Sequence, residues 1–252
     1  MGTGKSVAIL ATGSAEGGWS GARELLNHPS IRDRVAALVT NYPDGGVVHL
    51  AASHPDIALR IWPNFPKRWK DWFTPEQQVE ITQMYLGLVR ELGLDYIFLS
   101  GWVKQILGLE ANKVVNIHPG PLGEYGGEKM YGDHVHEKVW RDYFDGKIVS
   151  SAVTMHFVPS WPDDKMDTGP IIVQVPVSLV GCTSQADVKK RVNEMEHKIQ
   201  WQITEHVMNG KITWSGLDWE PVQFDKWLTI DIDGVPFALD GKLADLTTGL
   251  DG

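Results

Sequence analysis

The chain has almost no cysteine: Cys182 is the only one in 252 residues. A lone cysteine builds no internal disulfide framework, so the core must hold the fold, as in proteins of reducing compartments. Cys182 itself reads as a small buried or loop residue. No apolar run approaches the roughly 20 residues that span a bilayer. The opening MGTGKSVAIL lacks the long apolar stretch of a signal peptide. Both absences predict a soluble, cytoplasmic protein. Positive charge is also short, with 23 Lys and Arg against 32 Asp and Glu, a net charge of −9. That balance argues against a nucleic-acid backbone or an anionic membrane as the main partner, although a local basic patch can still hold a phosphate. There is no internal repeat, no low-complexity segment and no clear linker.

What is present is an alternation of strand and helix signals. SVAILATG (6–13) is a short apolar run ending in glycine, which predicts a buried parallel strand. The Gly/Ser-rich turn GSAEGGWSG follows, then the helical ARELLNH, then a second strand, RVAALVTN (34–41), closed by the turn signal NYPDGG. This order opens a Rossmann-like sheet. GTGKS (2–6) imitates the end of a phosphate-binding loop, but that loop needs a strand before it, and here the strand comes after. Residues 51–74 are less regular, and within them WPNFPKRWKDWF resembles a covering loop in which Trp69 and Trp72 pack rather than stack on bases.

From Thr74 the signals are strong. TPEQQVEITQMYLGLVRELG predicts a helix capped by Thr74, with Pro75 in its first turn and Gly93 at its exit. DYIFLSGW (95–102) and VVNIHP (114–119) are strands, and VHEKVWRDYF (135–144) is a helix. SAVTMHFV (151–158) alternates like a half-buried strand, and PIIVQVPV (170–177) is another. A long helix over 184–210 starts at Ser184, with Asp187 three residues on, and leaves at Gly210. The tail holds a hairpin around DGVPFALDGK.

Chemistry concentrates at the strand ends. Asn116 and His118 share one face of a strand, because side chains repeat every two residues. Asp167 lies in PSWPDDKMDTGPIIVQ, just before Gly169-Pro170 and the next strand. In an open α/β sheet, strand ends converge on the ligand crevice. There the aspartate can orient and charge-stabilise the imidazole, the histidine can transfer a proton, and the amide can donate to a developing oxyanion. Taken singly, each residue has an ordinary reading as a satisfied polar group or a turn former. His156 and Thr154 share a strand face, either supporting this loop or as buried structural residues. His134 and His136 have His-x-His spacing, but no cysteine cluster or His-Glu-x-x-His string accompanies them, so no metal is expected.

The string NIHPGPL, GGEKMYGDHVHEKV, TMHFV, DTGPIIVQVPV, with a Glu-His pair in the following helix, resembles the folate-dependent formyltransferases. The resemblance runs in order over roughly residues 6–215 and is most specific from Val114 to Val177. It implies an α/β, Rossmann-like formyltransferase fold, a mostly parallel sheet with helices on both faces. Residues 1–215 would form the catalytic domain and 216–252 an extension packed on it. It also implies transfer of a formyl group from the cosubstrate 10-formyltetrahydrofolate to a primary amine, that of glycinamide ribonucleotide first. No metal and no covalent enzyme intermediate are implied. Asn116, His118 and Asp167 become the catalytic trio, with protonated His118 and Asn116 on the oxyanion.

The folate would lie against Trp102, Val103, Lys104 and Ile106, and against the loop holding Asp163, Asp164 and Met166. Trp102 and Val103 read equally well as core. The amine substrate would meet Gly13, Ser14, Gly17, Gly18, Ser20 and Glu196. The partners are therefore two small molecules, with neither nucleic acid nor membrane, and a homodimer left open.

The chain departs from the family pattern at two places. The turn TGSAEGGWSGAREL is long for a phosphate loop, carries Glu16 and inserts Trp19, which admits another amine, such as a nucleotide-linked amino sugar. The segment after His118 reads Gly120-Pro121-Leu122-Gly123. A catalytically silent ligand-binding protein is the alternative of another class, and the intact trio argues against it.

Overall fold

The computed structural model describes residues 6–13, 17–66, 73–127, 129–159, 167–217 and 219–241. The segments predicted to hold GTGKS, Trp69 and Trp72 lie almost wholly outside them; of these residues only Ser6 is described. Among the described residues, no helix is long and apolar enough to cross a membrane. Seven strands form one sheet: β1 (Val7–Leu10), β2 (Val35–Thr40), β3 (Ala58–Ile61), β4 (Tyr96–Leu99), β5 (Val114–His118), β6 (Ser150–Phe157) and β7 (Ile171–Ser178). The hydrogen-bonded order is β3-β2-β1-β4-β5-β6-β7. The β3/β2, β2/β1, β1/β4 and β4/β5 pairs are parallel, and β6/β7 is antiparallel. This is the mostly parallel α/β sheet expected from the sequence.

The chain divides into two compact units, Met1–Asn116 with Val158–Asp164, and Ile117–Phe157 with Lys165–Gly252. In the first, β1 reads VAIL and is buried on both faces, as the continuous apolar run requires. Ala8 and Leu10 join a core with Ile81, Tyr85 and Leu88 of α4 (Pro75–Leu92). Helix α4 starts where its sequence says. Thr74 Oγ1 accepts the Gln77 N–H at 3.3 Å, Gln77 Oε1 accepts the Thr74 N–H at 3.0 Å, and Gly93 closes the helix. Two reciprocal bonds satisfy donors that the first turn would leave open.

Three further helices belong to this unit: α1 (Ser20–Leu26), α2 (Pro29–Arg32) and α3 (Gly46–Ala52). Strand β3 adds a regular element to the stretch 51–74, expected to be less regular. β3 is half-buried along its whole length and carries Arg60, so it has no apolar run to announce it. Its pairing with β2 makes it a strand.

The second unit holds β6 and β7, α5 (Asp133–Phe144), α6 (Gln185–Met208), and the short strands β8 (Ile212–Thr213), β9 (Gln223–Phe224), β10 (Thr229–Ile232) and β11 (Val235–Ala238). Ser184 caps α6 by accepting the Asp187 N–H at 3.2 Å, as expected. β10 and β11 form the predicted hairpin, turning at Asp233-Gly234. The hairpin is tied to α6 by Gln202, whose amide accepts the Asp231 N–H and donates to the Asp231 carbonyl, both at 2.7 Å.

The alternation in β6 does not give a half-buried strand. Ser151 to Phe157 are all buried. Two of its polar members, Thr154 and His156, face protein acceptors instead of water: Thr154 Oγ1 donates to the Gly120 carbonyl at 2.8 Å, and His156 Nδ1 sits 2.9 Å from the Phe157 carbonyl. Burial of polar side chains is tolerated where their bonds are made.

Candidate active site

β5 ends at His118, and the chain then turns through Gly120 to Gly127. Three side chains of the second unit meet beside that turn. His118 is 3% exposed and His156 1%. Between them lies Asp167, with its Oδ2 at 3.6 Å from His118 Nδ1 and its Oδ1 at 3.5 Å from His156 Nε2. Asp167 Oδ2 also accepts the Gly127 N–H at 3.1 Å. Its backbone is left-handed, φ 57°, a region that Asp tolerates better than most residues and that often marks functional sites.

Glycine makes the turn fit at two positions. A Cβ at Gly120 would lie 2.9 Å from Val135 Cγ1, and one at Gly126 would lie 3.2 Å from Asp167 Cβ. Thr154 completes the frame. It holds the Gly120 carbonyl and accepts from Gln174 Nε2 at 3.1 Å, its cross-strand partner in the β6/β7 ladder.

The hydrogen-bond partners fix where the protons sit. His118 Nε2 is 2.7 Å from the Tyr125 carbonyl oxygen. A carbonyl can only accept, so Nε2 carries hydrogen. By the same logic His156 donates from Nδ1 to the Phe157 carbonyl. When neutral, both rings therefore turn a lone pair toward Asp167, and a proton on either converts repulsion into an ion pair. Burial pushes the His118 pKa below its ordinary value, while Asp167 and the Tyr125 carbonyl pull it back up. A charge on His156 would push it down again. Asp167 resists protonation despite its burial, held down by His156, His118 and the Gly127 N–H.

Asn116 lies two residues before His118 on β5 and is half-buried. Of the residues the sequence offers for this site, the structure brings His118, Asp167 and His156 together, with Thr154 two residues from His156 on the same strand and bonded to the turn. It does not leave His118 freely protonated, because burial opposes the charge.

The other predicted residues are distributed as follows. Trp102 and Ile106 are buried in the core of the first unit, beside Tyr85, to whose hydroxyl Trp102 Nε1 donates at 2.9 Å. Val103 and Lys104 are half-buried, and the Val103 N–H is taken by Thr12 Oγ1 at 3.0 Å. Ser14, Glu16, Asp163, Asp164 and Met166 lie outside the described residues. Gly13 is buried, Gly17 and Gly18 are exposed, and Ser20 is the first residue of α1. Trp19 lies over Gly46, where a Cβ would fall 2.2 Å from its Nε1, and Arg23 lies 5.3 Å over the indole. The inserted tryptophan thus occupies the room left by a residue without a side chain. Glu196, half-buried on α6, accepts from Asn193 Nδ2 at 3.3 Å, and burial pushes its pKa up to about 7. His134 is exposed on α5, whereas His136 is buried and held down to about 4 by that burial.

Two site residues escaped the sequence reading, Tyr125 and Asp142. Tyr125 is a buried aromatic inside a glycine-rich stretch, a position at which a large ring must find an anchor. Asp142 follows Lys138 by one helical turn, the spacing of a same-face pair.

A family model described as formyl transferase matches residues 6–204. Among curated proteins, the chain is 27% identical over 214 residues to a chloroplastic phosphoribosylglycinamide formyltransferase of Arabidopsis thaliana, covering 83% of this chain and 68% of that one. It is 26% identical over 200 residues to the phosphoribosylglycinamide formyltransferase of Bacillus subtilis, covering 77% and 90%. Among solved structures, the phosphoribosylglycinamide formyltransferase of Coxiella burnetii superposes with a TM-score of 0.65 at 18% identity, covering 93% of this chain and 96% of that one. That likeness speaks to the fold.

Proposed function

The chain belongs to the formyl transferase family, and on that premise we propose that it moves a formyl group from 10-formyltetrahydrofolate to the primary amine of glycinamide ribonucleotide. The observation that carries this reading is the meeting of His118 Nδ1 and Asp167 Oδ2 at 3.6 Å in a buried site. The curated relatives matched above bear the name of that reaction.

The folate supplies the formyl carbon. His118 and Asn116 face the oxygen of that group as it gains charge, and a proton on His118 Nδ1 stabilises it. Asp167 holds the imidazolium by its charge and takes up the proton that the attacking nitrogen must lose. As the new C–N bond forms and the bond to the folate nitrogen breaks, that proton goes to the leaving nitrogen. No net charge is left in the site. Glu196 accepts a hydrogen bond from the substrate amine. The backbone beside Val103 and Lys104 meets the folate, since the Trp102 and Ile106 side chains are committed to the core.

A second reading, formylation of another amine such as a nucleotide-linked amino sugar, draws support from Trp19 in the turn after β1 and its seat over Gly46. Tetrahydrofolate release with a panel of amines separates the two. Turnover with glycinamide ribonucleotide is the expected result, and turnover only with an amino sugar would replace it. His118→Ala and Asp167→Asn should each lose about 10²–10⁴-fold in turnover while remaining folded. Near-normal turnover in either variant would sink the assignment.

A further inference from the structure

The turn after β5 is tied down from an unexpected side. The Tyr125 phenol is buried and donates to Asp142 Oδ2 at 2.9 Å. Asp142 is itself buried on α5 and is bracketed by two cations, Lys138 Nζ at 3.0 Å from Oδ2 and Lys147 Nζ at 2.9 Å from Oδ1. Lys138 also lies over the Tyr125 ring, 3.9 Å from its centroid, and bonds Glu124 Oε1 at 2.9 Å. Lys147 makes a second ion pair with Asp145 at 3.1 Å.

Every member is thus satisfied, which is the condition under which a buried polar cluster rigidifies its surroundings. Burial would raise the Asp142 pKa, but Lys147, Lys138 and the phenol outweigh it and hold it down to about 2. Burial and Asp142 push the phenol up, so it stays a donor. The ring, fixed at its tip, fixes its own backbone, and that backbone presents the carbonyl that accepts from His118 Nε2 at 2.7 Å.

We propose that Tyr125, pinned by Asp142 between Lys138 and Lys147, is a positioning residue. It commits Nε2 of His118 to a backbone carbonyl, and so makes Nδ1, the nitrogen facing Asp167, the one that exchanges a proton during formyl transfer. The second half of this rests on the function proposed above; the choice of tautomer does not. The geometry favours the assignment in two ways. The Nε2 contact is short and buried, whereas Nδ1 lies 3.6 Å from Asp167, too far for a committed hydrogen bond. A proton on Nδ1 is therefore open to a substrate oxygen while the Nε2 bond stays made. Without the latch, the imidazole could rotate or place its hydrogen on Nδ1, and Nε2 would compete for the same role.

The test uses Tyr125→Phe, which keeps the ring and removes the phenol bond, and Asp142→Asn, which keeps the shape and removes the charge. The histidine ¹⁵N shifts of the purified protein report the tautomer of His118 without any substrate. The wild type should show Nε2–H only, and both variants should show a mixture of tautomers while remaining folded. Their kcat should fall about tenfold with the folate KM within about twofold, since positioning acts on the reacting geometry rather than on binding. Glu124→Gln, which removes an exposed bond to Lys138 and a minor charge near Tyr125 but leaves the Tyr125–Asp142 bond in place, should leave shifts and kcat unchanged. An unaltered His118 tautomer in both folded variants, or an equal effect from Glu124→Gln, would overturn the latch. If the wild type fails to formylate glycinamide ribonucleotide but the tautomer still follows Tyr125, the function proposed above falls and the latch stands.

Discussion

Glu196→Gln is the substitution whose effect can be worked most directly from the structure. Glu196 is half-buried on α6, and its carboxylate receives a single long bond, from Asn193 Nδ2 at 3.3 Å. Burial is the largest cause of its raised pKa, from 4.5 to about 7. The native state therefore keeps a proton that the unfolded chain releases between those two values. Stability must fall as pH rises through that window and level off above it, the opposite of a salt-bridged carboxylate. At about 1.36 kcal/mol per pH unit, the distance from 4.5 to about 7 corresponds to roughly 3 kcal/mol.

Glutamine keeps the shape and cannot ionise, so it removes this penalty. The variant should gain up to about 3 kcal/mol over the wild type at pH 8 and under about 1 kcal/mol at pH 5. Urea unfolding at the two pH values reads the difference as a midpoint shift of about 1 M at pH 8, for a slope near 3 kcal/mol/M. Equal stabilisation at both pH values would refute the buried, protonating carboxyl. The amine role assigned to Glu196 adds that the gain comes with a raised KM for the amine and an unchanged KM for the folate.

Two further substitutions test the frame around the sites. Thr154→Val removes the donor to the Gly120 carbonyl and the acceptor of Gln174, both buried; a loss of about 1–3 kcal/mol is expected by denaturant titration, and no loss would show that the turn is held elsewhere. Gly46→Ala drives a Cβ to 2.2 Å from Trp19 Nε1 and should cost about 1–3 kcal/mol, largely recovered when Trp19→Ala is added; additive effects in that double-mutant cycle would remove Trp19 from the slot.

Fold and sequence agree best where local chemistry decides the outcome. Thr74 with Gln77, and Ser184 with Asp187, are short-range devices, and both helices begin at them. β1, β2, β4 and β5 carry apolar runs, and each is a strand buried on at least one face. The reading failed where a neighbour supplied the reason. β3 is a strand through its pairing with β2, and the polar face of β6 is buried because Gly120 and Phe157 offer it carbonyls. β2 and Gly120 lie far in sequence from what they satisfy, whereas Phe157 adjoins His156.

The site shows the same division, and it leads to a last prediction. The sequence names His118, His156 and Asp167, but not the Tyr125 and Phe157 carbonyls that decide which nitrogens face the aspartate. Those carbonyls turn one ring nitrogen of each histidine toward Asp167, so the carboxylate is shared between the two rings. Removing either neighbour should then move His118 in opposite directions. Asp167→Asn takes away the charge that favours the imidazolium and should lower the His118 pKa further. His156→Asn takes away a like charge and should raise it. An NMR titration of His118 in the two variants reads both signs in one experiment. If His118 moved the same way in both, or in neither, the carboxylate would not be shared, and proton transfer in this site would have to be assigned to His118 and Asp167 alone.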